Sequence, residues 1–324
     1  MNIVIDMMGS DNGSKIIVDA IKEFLKTNND VNFICVGNEN ELTELKKYNN
    51  VKLVYSQSVC KMDEEPLTIM RKKDSSLLIA IKELMDNDYD AIISAGGTAA
   101  VLTAATFGIK RLPNIKRPGL LTSFPTVIKG KKMTVCDLGA NTINSAEELE
   151  QFAIMSNIFY KYVYKKDNPS IYQLNVGTEE GKGKEENKNL YQLLKNNKKL
   201  NFKGNIEARE ALNGEVDCLI CDGFSGNIFL KSTEGTAKLM SNLIKKAFKK
   251  NIFTKIGYLF SKKGIVEMKE TMDYKNVGGA MLVGVNKIVV KAHGNSDSTS
   301  FLSAINLTKK LVNSKVIDEF KKEL

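Results

Sequence analysis

Six short segments hold the side chains best able to do chemistry in this 324-residue chain, and each combines glycine with Asp, Asn, Ser or Thr. They are Asp6-Met7-Met8-Gly9-Ser10-Asp11, Ser94-Ala95-Gly96-Gly97-Thr98, Asp137-Leu138-Gly139-Ala140-Asn141, Asn175-Val176-Gly177-Thr178-Glu179, Asp222-Gly223-Phe224-Ser225-Gly226-Asn227 and His293-Gly294-Asn295-Ser296-Asp297. Glycine and small hydroxyl residues let backbone N–H groups close on an anion, above all where a helix begins, so the set reads as phosphate-binding. Composition removes several other chemistries. A single histidine, His293, rules out metal sites built on two imidazoles and leaves one candidate for any histidine base. No GxGxxG follows a strand pattern and no GxSxG elbow is present; Gly181-Lys182-Gly183-Lys184 lacks the earlier glycine of a P-loop.

The five cysteines are odd in number, scattered and set in apolar stretches, as reduced core residues are. Cys218 and Cys221 have CxxC spacing, but Asp217 to Asp222 reads as a strand, which sends the two thiols to opposite faces. No metal and no organic cofactor is expected.

The elements that must position these loops are short β-rich runs alternating with helical patterns. The runs are Asn2 to Asp6, Phe33 to Gly37, Lys52 to Tyr55, Asp90 to Ser94, Gly119 to Thr122, Thr134 to Asp137, Ile171 to Gly177, Cys218 to Asp222 and Ile288 to His293. Several are apolar throughout, as strands covered on both sides are. The alternation predicts one α/β unit over residues 1–324: a doubly wound, largely parallel sheet with helices on both faces. In such a sheet the carboxyl ends of the strands line one crevice, so all six loops are expected to converge there. Ser145 and Glu148 form a capping-box signature for the helix that follows. The charged stretch Thr178 to Lys199 reads as a loop running into a solvated helix.

Residues 237–263 carry a different signal, a basic amphipathic helical segment. Leu239, Met240, Leu243, Ile244, Ala247 and Phe248 form one stripe, with Lys238, Lys245, Lys246, Lys249 and Lys250 around the other side. Ile252, Phe253, Ile256, Leu259 and Phe260 continue at helical spacing. An ordinary surface helix docked on the core fits this pattern, and so does a segment meeting anionic lipid, an acidic carrier protein or a second subunit. The net charge of +9 favours acidic partners, but no basic stripe interleaved with stacking aromatics points to nucleic acid. Neither a signal-peptide pattern at Met1 nor an apolar run of membrane-spanning length is present, so a cytoplasmic protein is expected.

Taken together with Arg117-Pro118, Gly204-Asn-Ile-Glu-Ala-Arg209 and Lys291-Ala-His-Gly294, the six loops closely resemble the PlsX family, over nearly the whole chain and in the family's order. That family is the bacterial acyl-acyl-carrier-protein:phosphate acyltransferase. The resemblance implies a homodimer with a fold related to isocitrate and isopropylmalate dehydrogenases and to phosphate acetyltransferases. It also implies peripheral association with the inner face of the cell membrane and production of acyl phosphate for phospholipid synthesis. Acyl carrier protein, a fatty acyl chain and inorganic phosphate would be the partners. The family's catalytic lysine and asparagine correspond to Lys182 and Asn227. His293 is a further catalytic candidate, and Asp6, Gly9, Ser94, Gly96, Thr98, Asn141, Asn175, Asp222 and Gly226 are expected to bind substrate or order the loops that do. Leu243, Lys246, Phe248, Lys249 and Phe253 are the expected membrane or carrier contacts. Two departures stand out: Gly97 and Ala99 replace an asparagine and a glycine of the family pattern, and Ser10 replaces a common glycine.

The implied reaction is attack of phosphate on a thioester, with Lys182 neutralising phosphate or the developing oxyanion and Asn227 donating to an oxygen. His293 would protonate the leaving thiolate, donate to phosphate or orient its loop. The alternatives are transfer from acyl coenzyme A, an NAD-dependent hydroxyacid dehydrogenase on the related fold, and a nonenzymatic membrane scaffold.

Overall fold

The chain builds one mixed sheet, and the computed structural model describes residues 1–60, 64–272 and 278–324 of it. The strands are β1 Asn2–Asp6, β2 Asn32–Gly37, β3 Val51–Tyr55, β4 Ala91–Ser94, β5 Gly119–Pro125, β6 Lys132–Cys136, β7 Ser170–Leu174, β8 Asn201–Ile206, β9 Cys218–Ile220, β10 Ala280–Val283 and β11 Ile288–Lys291. The helices are α1 Lys15–Leu25, α2 Glu39–Leu42, α3 Pro66–Arg71, α4 Ser76–Asp86, α5 Thr98–Gly108, α6 Ala146–Tyr164, α7 Glu185–Asn196, α8 Gly223–Phe248, α9 Ile252–Met272, α10 Ser298–Ser314 and α11 Val316–Glu323.

Side-chain alternation along the strands divides the core in two. Ile3 and Ile5 of β1 face one layer with Phe24, Phe152, Phe159, Phe301 and Phe320, while Val4 faces a second layer with Ile34, Ile81, Phe124 and Phe229. Cys218 belongs to the first layer and Cys221 to the second, as a strand's two-residue period requires. All five cysteines are buried and unpaired.

The strand order is β3-β2-β1-β4-β11-β10-β5-β6-β9-β7-β8. From β3 to β11 every pairing is parallel, and so is every pairing from β6 to β8. Between them β10 is antiparallel to both neighbours, and β5 is antiparallel to β6. An odd number of reversals leaves the two parallel halves running in opposite senses. The expectation that six loops share one carboxyl edge is therefore corrected: the loops after β1, β4 and β11 form one set, and those after β6, β9 and β7 form another.

The reversal follows from two elements that leave little trace in the sequence. β10 is four residues long between the positive-φ glycines Gly279 and Gly284. β5 turns into β6 through a tight loop closed by the Thr126 N–H donating to the Lys131 carbonyl. The edge strand β8, rich in Asn, Lys and Gly, is equally unmarked by β-propensity.

The expected capping box is present on α6. The Glu148 N–H donates to Ser145 Oγ at 3.3 Å, and Glu148 Oε2 accepts from the Ser145 N–H at 3.1 Å. Replacing Ser145 by Ala should cost about 1 kcal/mol, or roughly 2 °C in Tm for a chain of this size. Calorimetry that finds no change would remove the cap from the account of this helix.

Candidate active site

The first loop set is organised by Asp6, at the end of β1. Its carboxylate is buried and accepts from Ser76 Oγ at 2.6 Å, Ser94 Oγ at 2.7 Å and the Met8 N–H at 3.3 Å. Burial pushes its pKa up, against the lowering effect of those three bonds. Ser94 Oγ in turn accepts from the Gly96 N–H at 3.1 Å. With its bonds directed inward, Asp6 orders two loops. Gly9 and Gly96 pack backbone to backbone: a Cβ on Gly9 would lie 2.5 Å from Gly96 Cα. Thr98 opens α5, whose N-cap Gly97 supplies no side-chain acceptor, so the first-turn amides are not capped by a side chain there.

The second set is organised by Asp137, after β6. It accepts from the N–H groups of Leu120, Ala140 and Asn141 and from Asn141 Nδ2, at 2.8 to 3.0 Å. Burial raises its pKa and these bonds hold it down. Asn141 also donates to the Pro118 carbonyl at 2.8 Å. The start of α8 lies directly on this loop. Cβ atoms on Gly223 and Gly226 would overlap the carbonyl oxygens of Asn141 and Asp137, so both positions need glycine for close approach. Asp222 caps α8 by accepting from the Ser225 N–H at 2.7 Å and from Ser225 Oγ at 3.0 Å.

Lys182 and Asn227 occupy the loop after β7 and the first turns of α8, which follows the neighbouring strand β9. Both side chains are exposed. Lys182 Nζ lies 3.9 Å from Glu179, and its carbonyl accepts from Asn175 Nδ2 at 3.0 Å. Asn175 Oδ1 accepts from the Val176 N–H at 2.8 Å, so Asn175 closes the lysine's loop upon itself. Asn227 packs beside Gly139 of the β6 loop. Among the described residues no hydrogen bond joins Lys182 to Asn227; Asn227 lies in the first turns of α8, and Lys182 in the loop after the strand that pairs with β9.

One helical turn beyond Asn227, Lys231 reaches across to the first loop set. Its Nζ lies 3.4 Å from Nε2 of His293 and 3.0 Å from Glu234 Oε2. Asn227, Lys231 and Glu234 stand at i, i+4 and i+7, so α8 carries a polar face that joins the two sets. Burial, then the Lys231 charge, lower the His293 pKa, which favours the neutral ring. Desolvation brings Lys291, at the end of β11, down to about 8. Sequence reasoning missed Lys231 and gave Lys291 no role. The only signal for Lys231 was its four-residue offset from Asn227, on a helix that holds many lysines.

The opposite face of α8 borders a cavity of about 790 Å³. Ser225, Ile228, Phe229, Ser232 and Thr236 line it from the helix, and Phe124, Val127, Leu174, Val176 and Leu212 make most of the remaining wall apolar. Asn175, Lys184, Asn187, Arg209 and Asp222 add polar groups. Of the residues expected to bind substrate, Asn175 and Asp222 border this cavity.

The segment over residues 237–263 is two helices. α8 ends at Phe248, and α9 starts after Asn251, whose Oδ1 accepts from the Thr254 N–H at 2.9 Å. The apolar stripe is not docked on the core: Leu243 is about half exposed, Phe253 is 80% exposed and Phe260 87%. Phe248 instead meets Tyr258 of α9 edge to face, with ring centroids 5.6 Å apart. Lys246 and Lys249 are exposed. Among the described residues no helix is long and apolar enough to cross a membrane.

Comparison with known proteins matches residues 1–319 to a family described as fatty acid synthesis protein. Phosphate acyltransferase from Pediococcus pentosaceus is 42% identical over 322 residues, covering 98% of this chain and 92% of that protein. The phosphate acyltransferase of Halothermothrix orenii is 40% identical, with 100% and 98% covered. Among solved structures, a phosphotransacetylase from Streptococcus pyogenes superposes with TM-score 0.60 at 16% identity, covering 98% of this chain and 94% of that one. A branched-chain phosphotransacylase from Enterococcus faecalis gives TM-score 0.58 at 14% identity, with 96% and 99% covered. The solved structures are alike in fold.

Proposed function

The chain belongs to the fatty acid synthesis protein family, whose curated relatives are phosphate acyltransferases, and from that premise we propose how it transfers a fatty acyl group to inorganic phosphate. The donor is the thioester of an acyl carrier protein. A phosphate oxygen attacks the carbonyl carbon, the tetrahedral oxyanion collapses with cleavage of the C–S bond, and the carrier thiolate leaves and takes up a proton. The observation that carries this reading is the start of α8, where Gly223 and Gly226 lie directly on the β6 loop, Asn227 packs beside Gly139, and the loop of Lys182 follows β7, the strand paired with β9. A cation and a neutral amide fixed there stabilise an oxyanion without a rearrangement of solvent.

No protein nucleophile takes part. Every cysteine is buried, and burial pushes the thiols up, Cys218 to about 12, so none offers a thiolate at neutral pH. The 790 Å³ cavity receives the acyl chain, its apolar wall beginning beside Ser225 in the first turn of α8. The relation to isocitrate and isopropylmalate dehydrogenases belongs to the same reading, supported by the mixed sheet with two opposed parallel halves.

Direct attack has a measurable signature. In the absence of phosphate, labelled free carrier protein should not exchange into acyl carrier protein. Exchange at the rate of turnover would mean a covalent acyl-enzyme. Acyl coenzyme A, assayed in parallel, should be the poorer donor; equal efficiency would favour the coenzyme A alternative.

The hairpin of α8 and α9 serves delivery. Its lysines attract an acidic carrier or anionic lipid, and its exposed stripe either enters a membrane surface or pairs with a second subunit. Homodimerisation and peripheral contact with the inner membrane face are thus part of the proposal. Liposomes containing anionic lipid should lose the protein when Leu243 and Phe253 are both replaced by Glu, with sedimentation reporting whether a dimer persists. Unchanged flotation of the variant would reject the hairpin as anchor.

A further inference from the structure

His293 has an unusual hydrogen-bond inventory. Its Nδ1 accepts from the Asn295 N–H at 3.3 Å, a donor whose direction the backbone fixes. A neutral ring that accepts at Nδ1 carries its proton on Nε2. Nε2 then faces the Lys231 ammonium at 3.4 Å, donor against donor. The pair is complete only with an acceptor that takes a hydrogen bond from both.

The surroundings select an anion. Lys231 gives one of its three N–H groups to Glu234, which leaves two to offer. Lys291 donates from Nζ to the carbonyl of Ala292, the residue before His293, at 2.5 Å. Asp11 and Glu234 are the acidic groups whose charge reaches His293. Asn227 lies one turn away on the same face of α8, so a tetrahedral oxyanion seated here would hold an oxygen toward the reacting centre.

We propose that Lys231 and His293 form the subsite that holds inorganic phosphate, with His293 donating from Nε2 and Lys231 from its ammonium. The proposal deepens the acyl-transfer reading and rests on phosphate being the acceptor. Lys231 is a binding residue here, and Glu234 is a positioning residue that fixes it.

Because the chain has one histidine, ¹⁵N-histidine labelling of the full-length protein yields a single imidazole spectrum. In phosphate-free buffer at pH 7.5 the ring should show the Nε2–H tautomer, and titration with inorganic phosphate should move the Nε2 signal to saturation. Lys231→Met should weaken that titration by about 10- to 100-fold, the range of a lost charged hydrogen bond, and Lys231→Arg should restore most of it. In turnover, Lys231→Met should raise the phosphate KM more than it lowers kcat.

Three results overturn the subsite: an Nδ1–H tautomer, an imidazole signal indifferent to phosphate at concentrations that saturate turnover, or a response to dimethyl phosphate but not to inorganic phosphate. The first and second are read on the unaltered protein and do not depend on a variant folding. Acyl phosphate production, assayed on the same sample, separates the two claims. Turnover with an unresponsive His293 refutes the subsite alone, whereas a phosphate-responsive His293 without turnover refutes the acyl-transfer reading and upholds the subsite.

Discussion

Lys182→Ala and Asn227→Ala should each lower acyl phosphate formation by about 10²- to 10³-fold, while thermal unfolding stays within a degree or two of the parent. Both side chains are exposed, and the Lys182 ammonium lies 3.9 Å from Glu179, an ion pair of the kind that adds little to stability. Their substitution therefore removes charge and hydrogen bonding from the site without opening the core. The large effect is expected because both groups act on charge that appears only as phosphate adds to the carbonyl. Lys182→Arg should recover little, since the fork of a guanidinium does not reproduce a point charge on a flexible stem. Near-normal turnover in both folded alanine variants would remove these residues from the mechanism.

Gly226→Ala should destabilise the protein by about 3 kcal/mol and abolish activity at temperatures where the parent is fully active. The added Cβ would overlap the carbonyl oxygen of Asp137, a backbone atom held by the β6 loop, so no flexible side chain can make way. Relief requires α8 to lift from that loop. Such a shift displaces Asn227 from Gly139 and draws Lys231 away from His293, so catalysis should fall further than stability alone accounts for. Gly235→Ala is the matched control on the same helix, where a Cβ meets nothing within 4 Å. A Gly226→Ala protein with unchanged Tm and turnover would show that the loop and helix are not locked together.

Local signals in the sequence carried more than global ones. Asp6, Asp137 and Asp222 were legible as loop organisers because glycine and short polar residues at a strand end answer to backbone geometry nearby. The strands beginning at Asn2, Asn32 and Cys218 were legible from apolar runs, although the polar residues after Leu174, Ile220 and Lys291 belong to loops. Strand direction was not legible. It is decided by β10, which is very short and pairs with the distant β5, and by the tight β5 to β6 turn. The division of the basic amphipathic segment was missed, although Asn251 and Thr254 already stand at capping distance. Lys231 illustrates the remaining limit: on α8 it is one lysine among several, and only the fold brings it to His293.

The central claim is that phosphate itself attacks the acyl thioester at the start of α8. The most direct measurement is incubation of the folded protein with palmitoyl-acyl carrier protein and inorganic phosphate, trapping acyl phosphate as the hydroxamate. The account predicts hydroxamate that depends on both protein and phosphate, with free carrier thiol released in equal amount. Hydroxamate that forms equally without phosphate, or none at all from folded protein and intact carrier substrate, would contradict it.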